Sequence, residues 1–159
     1  MGSRTPGRGG RAFGRTPCAY HEGVPEIEFA FLADAAESIP GHKFHVLGGG
    51  ISRVEGRAYP LRHPHFALVI GLLVAATEMG RDHEVRFVLL DADGHEIATA
   101  TGVIRAEGGG DARDAVLTFS IDLWNVTFPA PGDYSVRLLV NGSERKRLPL
   151  VLAPPPPGG

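Results

Sequence analysis

Apolar and polar residues alternate along four separate stretches of this chain, and a period of two commits each stretch to a half-buried β-strand. Ile27, Phe29, Phe31 and Ala33 form the first apolar set, and Val85, Phe87 and Leu89 the second. Leu117, Phe119, Ile121 and Leu123 form the third, and Tyr134, Val136, Leu138 and Val140 the fourth. Turn residues fall between such runs. Asp93-Gly94 and Asn141-Gly142 are hairpin signals, because Asn, Asp and Gly tolerate positive φ. Pro40-Gly41, Gly48-Gly49-Gly50, Gly108-Gly109-Gly110 and Pro131-Gly132 mark further turns or loops. Strands are predicted near residues 26–35, 43–48, 66–76, 83–91, 95–105, 115–123, 133–141 and 144–152. No segment of ten residues carries a helical stripe, and Asp34 to Ser38 has room for one short turn. About eight strands joined by short turns predict an all-β fold, a two-sheet antiparallel β-sandwich, since one sheet cannot cover both of its faces.

The ends differ from the middle. Residues 1–25 are rich in Gly, Arg and Pro, and residues 154–159 are Pro and Gly. Neither can bury enough apolar surface to offset the entropy of ordering, so both are expected to be disordered around a domain at 26–153. The first 25 residues hold four arginines against Glu22, which leaves an acidic body within a net charge of −2. Such a body has no electrostatic footprint for nucleic acid. Arg8-Gly-Gly-Arg11 with Phe13 is a single RGG-like copy and reads as a solvated leader. Cys18 is the one cysteine, which excludes an internal disulfide, a cysteine zinc site and a two-cysteine redox motif. The longest apolar run, Phe66 to Ala76, is eleven residues, too short for a bilayer. No membrane partner and no cofactor are expected, and the expected location is cytoplasmic.

Two resemblances sharpen the fold. Phe128-Pro-Ala-Pro-Gly-Asp-Tyr134 places a Pro-Gly turn just before a tyrosine that opens a strand. It resembles the tyrosine corner of immunoglobulin-like and fibronectin-like sandwiches, which implies a phenol hydroxyl bonded to nearby backbone. A broader likeness rests on Ala33-Asp34-Ala35, Lys43 through Gly48-Gly49-Gly50, His63-Pro64-His65-Phe66, Leu90 to Gly94, and the Phe128 to Tyr134 segment. In this order they resemble an uncharacterised bacterial family of small β-sandwich proteins, a domain of unknown function. That resemblance implies a fold and a bacterial origin, and it transfers no catalytic residue.

Candidate chemistry is sparse. His63 and His65, one residue apart on a strand, would share a face and could ligate a metal, with Asp34 and His45 as further ligands. Cupin enzymes place a Glu four or five residues after such a pair, where this chain has Val69 and Ile70. Pro64 instead suggests the entry to a strand, with both histidines at a solvated sheet end. Asp91-Ala-Asp93-Gly94 offers two carboxylates, short of a calcium shell, and reads as a turn. Gly48-Gly49-Gly50 lacks the following helix of a phosphate loop and reads as a bend. No Gly-x-Ser-x-Gly elbow occurs, so no catalytic residue is assigned.

The run from Phe66 is apolar on both faces. Phe66, Leu68, Ile70, Leu72 and Val74 supply a core, while Ala67, Val69, Gly71, Leu73 and Ala75 form a second, mostly small-residue face. An apolar outer face must be covered, by a loop of the same chain or by another chain. The expected function is a non-catalytic interaction or structural module that forms a homo-oligomer or binds a protein partner through that face. The alternative is a small-ligand or metal-dependent enzyme built around the histidines.

Overall fold

The computed structural model describes residues 24–39, 43–108 and 113–158. The expected arm up to residue 23, with Cys18 and the Arg8–Arg15 segment, lies outside these residues, as do Pro40-Gly41 and Gly109-Gly110. Pro154 to Gly158 are exposed and form no strand.

The described residues fold as ten strands in three sheets. In chain order they are β1 (Glu26–Ala33), β2 (Ala35–Ser38), β3 (Phe44–Leu47), β4 (Arg53–Glu55), β5 (Leu61–Val74), β6 (Asp82–Leu90), β7 (Glu96–Arg105), β8 (Ala115–Phe128), β9 (Gly132–Val140) and β10 (Ser143–Ala153). A three-stranded sheet runs β1-β5-β8, and a five-stranded sheet runs β4-β10-β9-β6-β7. β2 and β3 form a separate hairpin. All pairings are antiparallel except β4 with β10. The chain is therefore all-β.

One apolar core draws on both larger sheets. Phe66, Leu68, Ile70 and Leu72 of β5 meet Phe87 and Leu89 of β6, Leu138 of β9 and Leu150 of β10, each no more than 2% exposed. Burying each such side chain contributes about 1.5–3 kcal/mol. Turn chemistry closes the hairpins as the residues require. Asn141 and Gly142 have φ of 49° and 82° between β9 and β10, the positive pair of a type I′ turn. The Tyr134 hydroxyl donates to the Ala130 carbonyl at 2.7 Å, and its ring meets Phe128 edge-on with centroids 5.1 Å apart.

Four sequence expectations need correction. The strand expected at 26–35 breaks at Asp34, whose N–H bonds to the carbonyls of Leu47 and Gly48, so that Ala35–Ser38 pairs with β3 instead of turning. Among the described residues the one helical turn lies at Ala76–Glu78. A three-residue strand, Arg53–Glu55, was too short to show alternation and is added beside β10. Finally, β5 begins at Leu61 and runs through Pro64. This is possible because β1 reaches only Ala67, so the Pro64 segment is bonded to β8 alone.

Candidate functional site

The second apolar face of β5 is closed by its own chain. Ala67 is 0% and Val69 1% exposed, and with Ala33 they form a second buried cluster. Phe29 and Phe31 of β1, Ala36 of β2, and Phe44 and Val46 of β3 pack over it. Small residues make this possible. At Gly71 the Phe29 ring occupies the space that a Cβ would take. The interface expected at Ala67, Val69 and Gly71 is thus corrected to an internal contact: the β2–β3 hairpin swings out at Asp34 and lies over the sheet. Leu73 and Ala75 are half-buried and stand outside that cluster.

The candidate histidines do not form one site. Strand alternation would put His63 and His65 on one face, but β5 and β8 change face near Pro64 and the opposing Asn125, which has φ 53°. Before this point Leu61 packs toward the main core with Phe128, its cross-strand partner. His63 stacks on the buried Phe66 with ring centroids 3.8 Å apart. Burial lowers its pKa from the ordinary histidine value, opposed in part by the His65 backbone and the charge of Asp34. His65 turns the other way and lies against Trp124, centroids 4.1 Å apart. His45 is exposed on β3, and Asp34 is exposed at the β1–β2 corner with its carboxylate over Gly48. No three of Asp34, His45, His63 and His65 bring ligand atoms within 4.8 Å of one another.

His65 instead makes a clamp. Its Nδ1 lies 2.7 Å from the Asp34 carbonyl oxygen and its Nε2 2.7 Å from Asp122 Oδ1. A carbonyl and an ionised carboxylate both accept, so both bonds form together when the ring carries two N–H groups. The clamp ties the β1–β2 corner to β8 and fixes the ring against which Trp124 rests. Trp124 remains 66% exposed. Beyond Asp34, the exposed Leu47 (70%) accepts the Asp34 N–H at its carbonyl. Trp124 therefore lies beside a polar bridge from Asp122 through His65 to Asp34 on the outer side of the three-stranded sheet. Sequence reading did not single out Trp124. A signal was present: an even-numbered tryptophan beside an odd-numbered core set ending at Leu123 faces outward as long as the strand keeps its face, which β8 does up to Asn125.

Two other polar groupings are local. Asp91, Asp93 and His95 hold ligand atoms within 4.8 Å of one another. Asp91 Oδ1, however, accepts from the N–H groups of Asp93 and His95 at 2.9 and 2.8 Å, and Oδ2 lies 3.0 Å from His95 Nδ1. Desolvation pushes the Asp91 carboxyl up, and the His95 and Asp93 bonds outweigh it, so it titrates below the usual carboxylate range. The carboxylate thereby closes its own β6–β7 turn. An open cleft of about 240 Å³ is lined by Glu26, Ile27, Glu144 and Arg145, with no nucleophile beside a base.

Residues 28–153 match DUF6941, a family of unknown function, and the chain belongs to this family. No curated protein matches it. Among solved structures, the chain is similar to the Pseudomonas fluorescens alkylpurine DNA glycosylase AlkC bound to DNA containing an abasic site analog. Identity is 16% and the TM-score 0.42, over 65% of this chain and 28% of the glycosylase chain. The chain thus spans less than a third of that protein's length. The CARDB domain of a Pyrococcus furiosus protein, in complex with di-metal ions, is similar at 14% identity and TM-score 0.35, over 80% of this chain and 92% of that one.

Proposed function

We propose that this DUF6941 member is a non-catalytic interaction module, a bacterial, cytoplasmic, immunoglobulin-like sandwich that docks a protein on the surface around Trp124. The observation that carries the reading is an exposed tryptophan seated on a histidine: Trp124 is 66% exposed, and its ring lies tilted against His65, whose two ring nitrogens both face acceptors. An exposed indole presents a large apolar area with few rotatable bonds to order on binding, and tryptophan is a frequent anchor of protein interfaces. His65 and the Asp122 and Asp34 groups bonded to it supply the polar rim such a contact uses. The metal-dependent reading has less support, because Asp34, His45, His63 and His65 do not converge.

The test compares the full chain with Trp124→Ala as immobilised bait in extract of the source cells. Truncating a central tryptophan anchor costs about 2 kcal/mol or more, roughly a 30-fold loss in affinity. A protein retained by the parent and lost with Trp124→Ala supports the reading. Equal retention by both refutes the assignment of this surface.

A further inference from the structure

Among the described residues, the buried polar side chains are Glu78 and His83, 3% and 2% exposed. They lie together at the end of the molecule where β5 finishes at Val74 and β8 begins at Ala115, away from Trp124. His83 stands on the core face of β6, in step with Val85, Phe87 and Leu89. None of the contacts described so far uses it.

Three elements meet at its ring. Nε2 lies 3.1 Å from the Glu78 carbonyl oxygen, in the connection between β5 and β6. Nδ1 lies 3.3 Å from Asn141 Nδ2, in the β9–β10 turn. The orientation of the Asn141 amide is set on its other side, where Oδ1 accepts the Glu84 N–H at 2.9 Å and leaves the NH2 toward the ring. A carbonyl only accepts and an amide NH2 only donates. One form of the ring satisfies both neighbours: neutral, with its hydrogen on Nε2.

We infer that His83 is a proton-sensitive lock on the β9–β10 turn, closed while the ring is neutral and opened when it is protonated. A second ring hydrogen, on Nδ1, sets an N–H against the Asn141 NH2, and the two donors separate. Asn141 is the partner free to move. It is exposed, and it holds the turn to β6 through Glu84, whose carbonyl accepts the Asn141 N–H at 2.9 Å. The charged groups of the elements meeting here do not prevent uptake. Glu78, whose carboxylate accepts the Ala75 N–H, and Asp114, which accepts the Ala76 N–H, attract a proton, as do Asp82 and Glu84 on β6. Arg105 on β7 pairs with Asp82, and Glu144 on β10 with Arg147. The charges thus favour the proton and the Asn141 contact opposes it, so uptake and release of the turn are one event. This lock goes beyond the partner reading above and does not depend on it.

Nuclear magnetic resonance of the full chain, titrated from about pH 8 to about pH 5, tests it. The His83 ring nitrogens should show one hydrogen, on Nε2, at the upper end. As the ring takes its second proton, hydrogen-exchange protection of the Asn141 backbone amide should fall about tenfold, with protection at Ile70 and Leu138 kept. Asn141→Asp tolerates the φ of 49° and turns the donor facing Nδ1 into an acceptor. It should keep the turn closed over the protonated ring and move the ring's titration to higher pH. Asn141→Gly keeps the backbone and removes the amide, so protection at residue 141 should no longer follow the ring. Trp124→Ala should behave as the parent, which separates this result from the docking test. A neutral ring with its hydrogen on Nδ1 overturns the inference, as does a ring that stays neutral until the whole chain unfolds. Protection at Asn141 that ignores the ring's titration, or that falls equally in Asn141→Asp, overturns it as well.

Discussion

Removing the Tyr134 hydroxyl isolates one bond in an otherwise unchanged core. The residue is 6% exposed, its ring packs edge-on against Phe128, and its hydroxyl donates to the Ala130 carbonyl at 2.7 Å. Tyr134→Phe keeps the ring and the aromatic contact. A net hydrogen bond contributes about 0.5–1.5 kcal/mol, and an acceptor left buried without a partner adds about 1–3 kcal/mol. Ala130 is exposed, so water can reach its carbonyl and the second penalty is small. The expected cost is therefore about 1 kcal/mol, a fall of roughly 3–5 °C in Tm for a folded region of this size. Urea denaturation followed by circular dichroism should show a lower midpoint with an unchanged slope. An unchanged midpoint would mean the hydroxyl does nothing that water cannot. A loss above 3 kcal/mol would mean the corner holds more than one bond, and either result refutes this accounting.

Val69→Asp places a carboxylate under Phe29, Phe31, Phe44 and Val46, so it should unfold the chain or cost several kcal/mol. A soluble, folded variant with parent-like Tm would show that the hairpin does not cover this face. His63 gives a pH signature. Its folded pKa is depressed by burial, so the unfolded chain takes up the proton first as pH falls. Its contribution to stability is complete above the unfolded value of about 6.5 and is lost as pH drops from there toward the folded value. His63→Phe should flatten the fall in Tm between pH 7 and 5, and an identical profile in both proteins would contradict the assignment.

Much of the fold was legible because alternation reports which residues share a face. The odd-numbered residues from Leu117 to Leu123 do face the core, and so do the even-numbered ones from Tyr134 to Val140. What alternation cannot report is where a strand changes face. The shift at Pro64 and Asn125 separates His63 from His65, and it depends on two strands 61 residues apart in sequence bending at one pairing position. The two apolar faces of the Phe66–Ala76 run showed that a cover must exist, yet not that Phe44 and Val46 supply it. Ala35 to Ser38 have neither strand propensity nor clear alternation, and their pairing with β3 is set by the tertiary position of the hairpin. The setting of Trp124 was hidden for the same reason, since the His65 ring it lies against is bonded to Asp34 and Asp122, distant in sequence from each other and from His65.

Trp124 is the one tryptophan of the chain, so its fluorescence reports on the proposed surface without a label. The central claim is that a protein partner docks there. With the captured partner added to the full chain, and Trp124→Phe as the blank for partner emission, quenching by acrylamide measures access to the indole directly. The account predicts ready quenching of the free chain, as befits 66% exposure, and a blue-shifted, protected indole in the complex. An indole as accessible in the complex as in the free chain would contradict it.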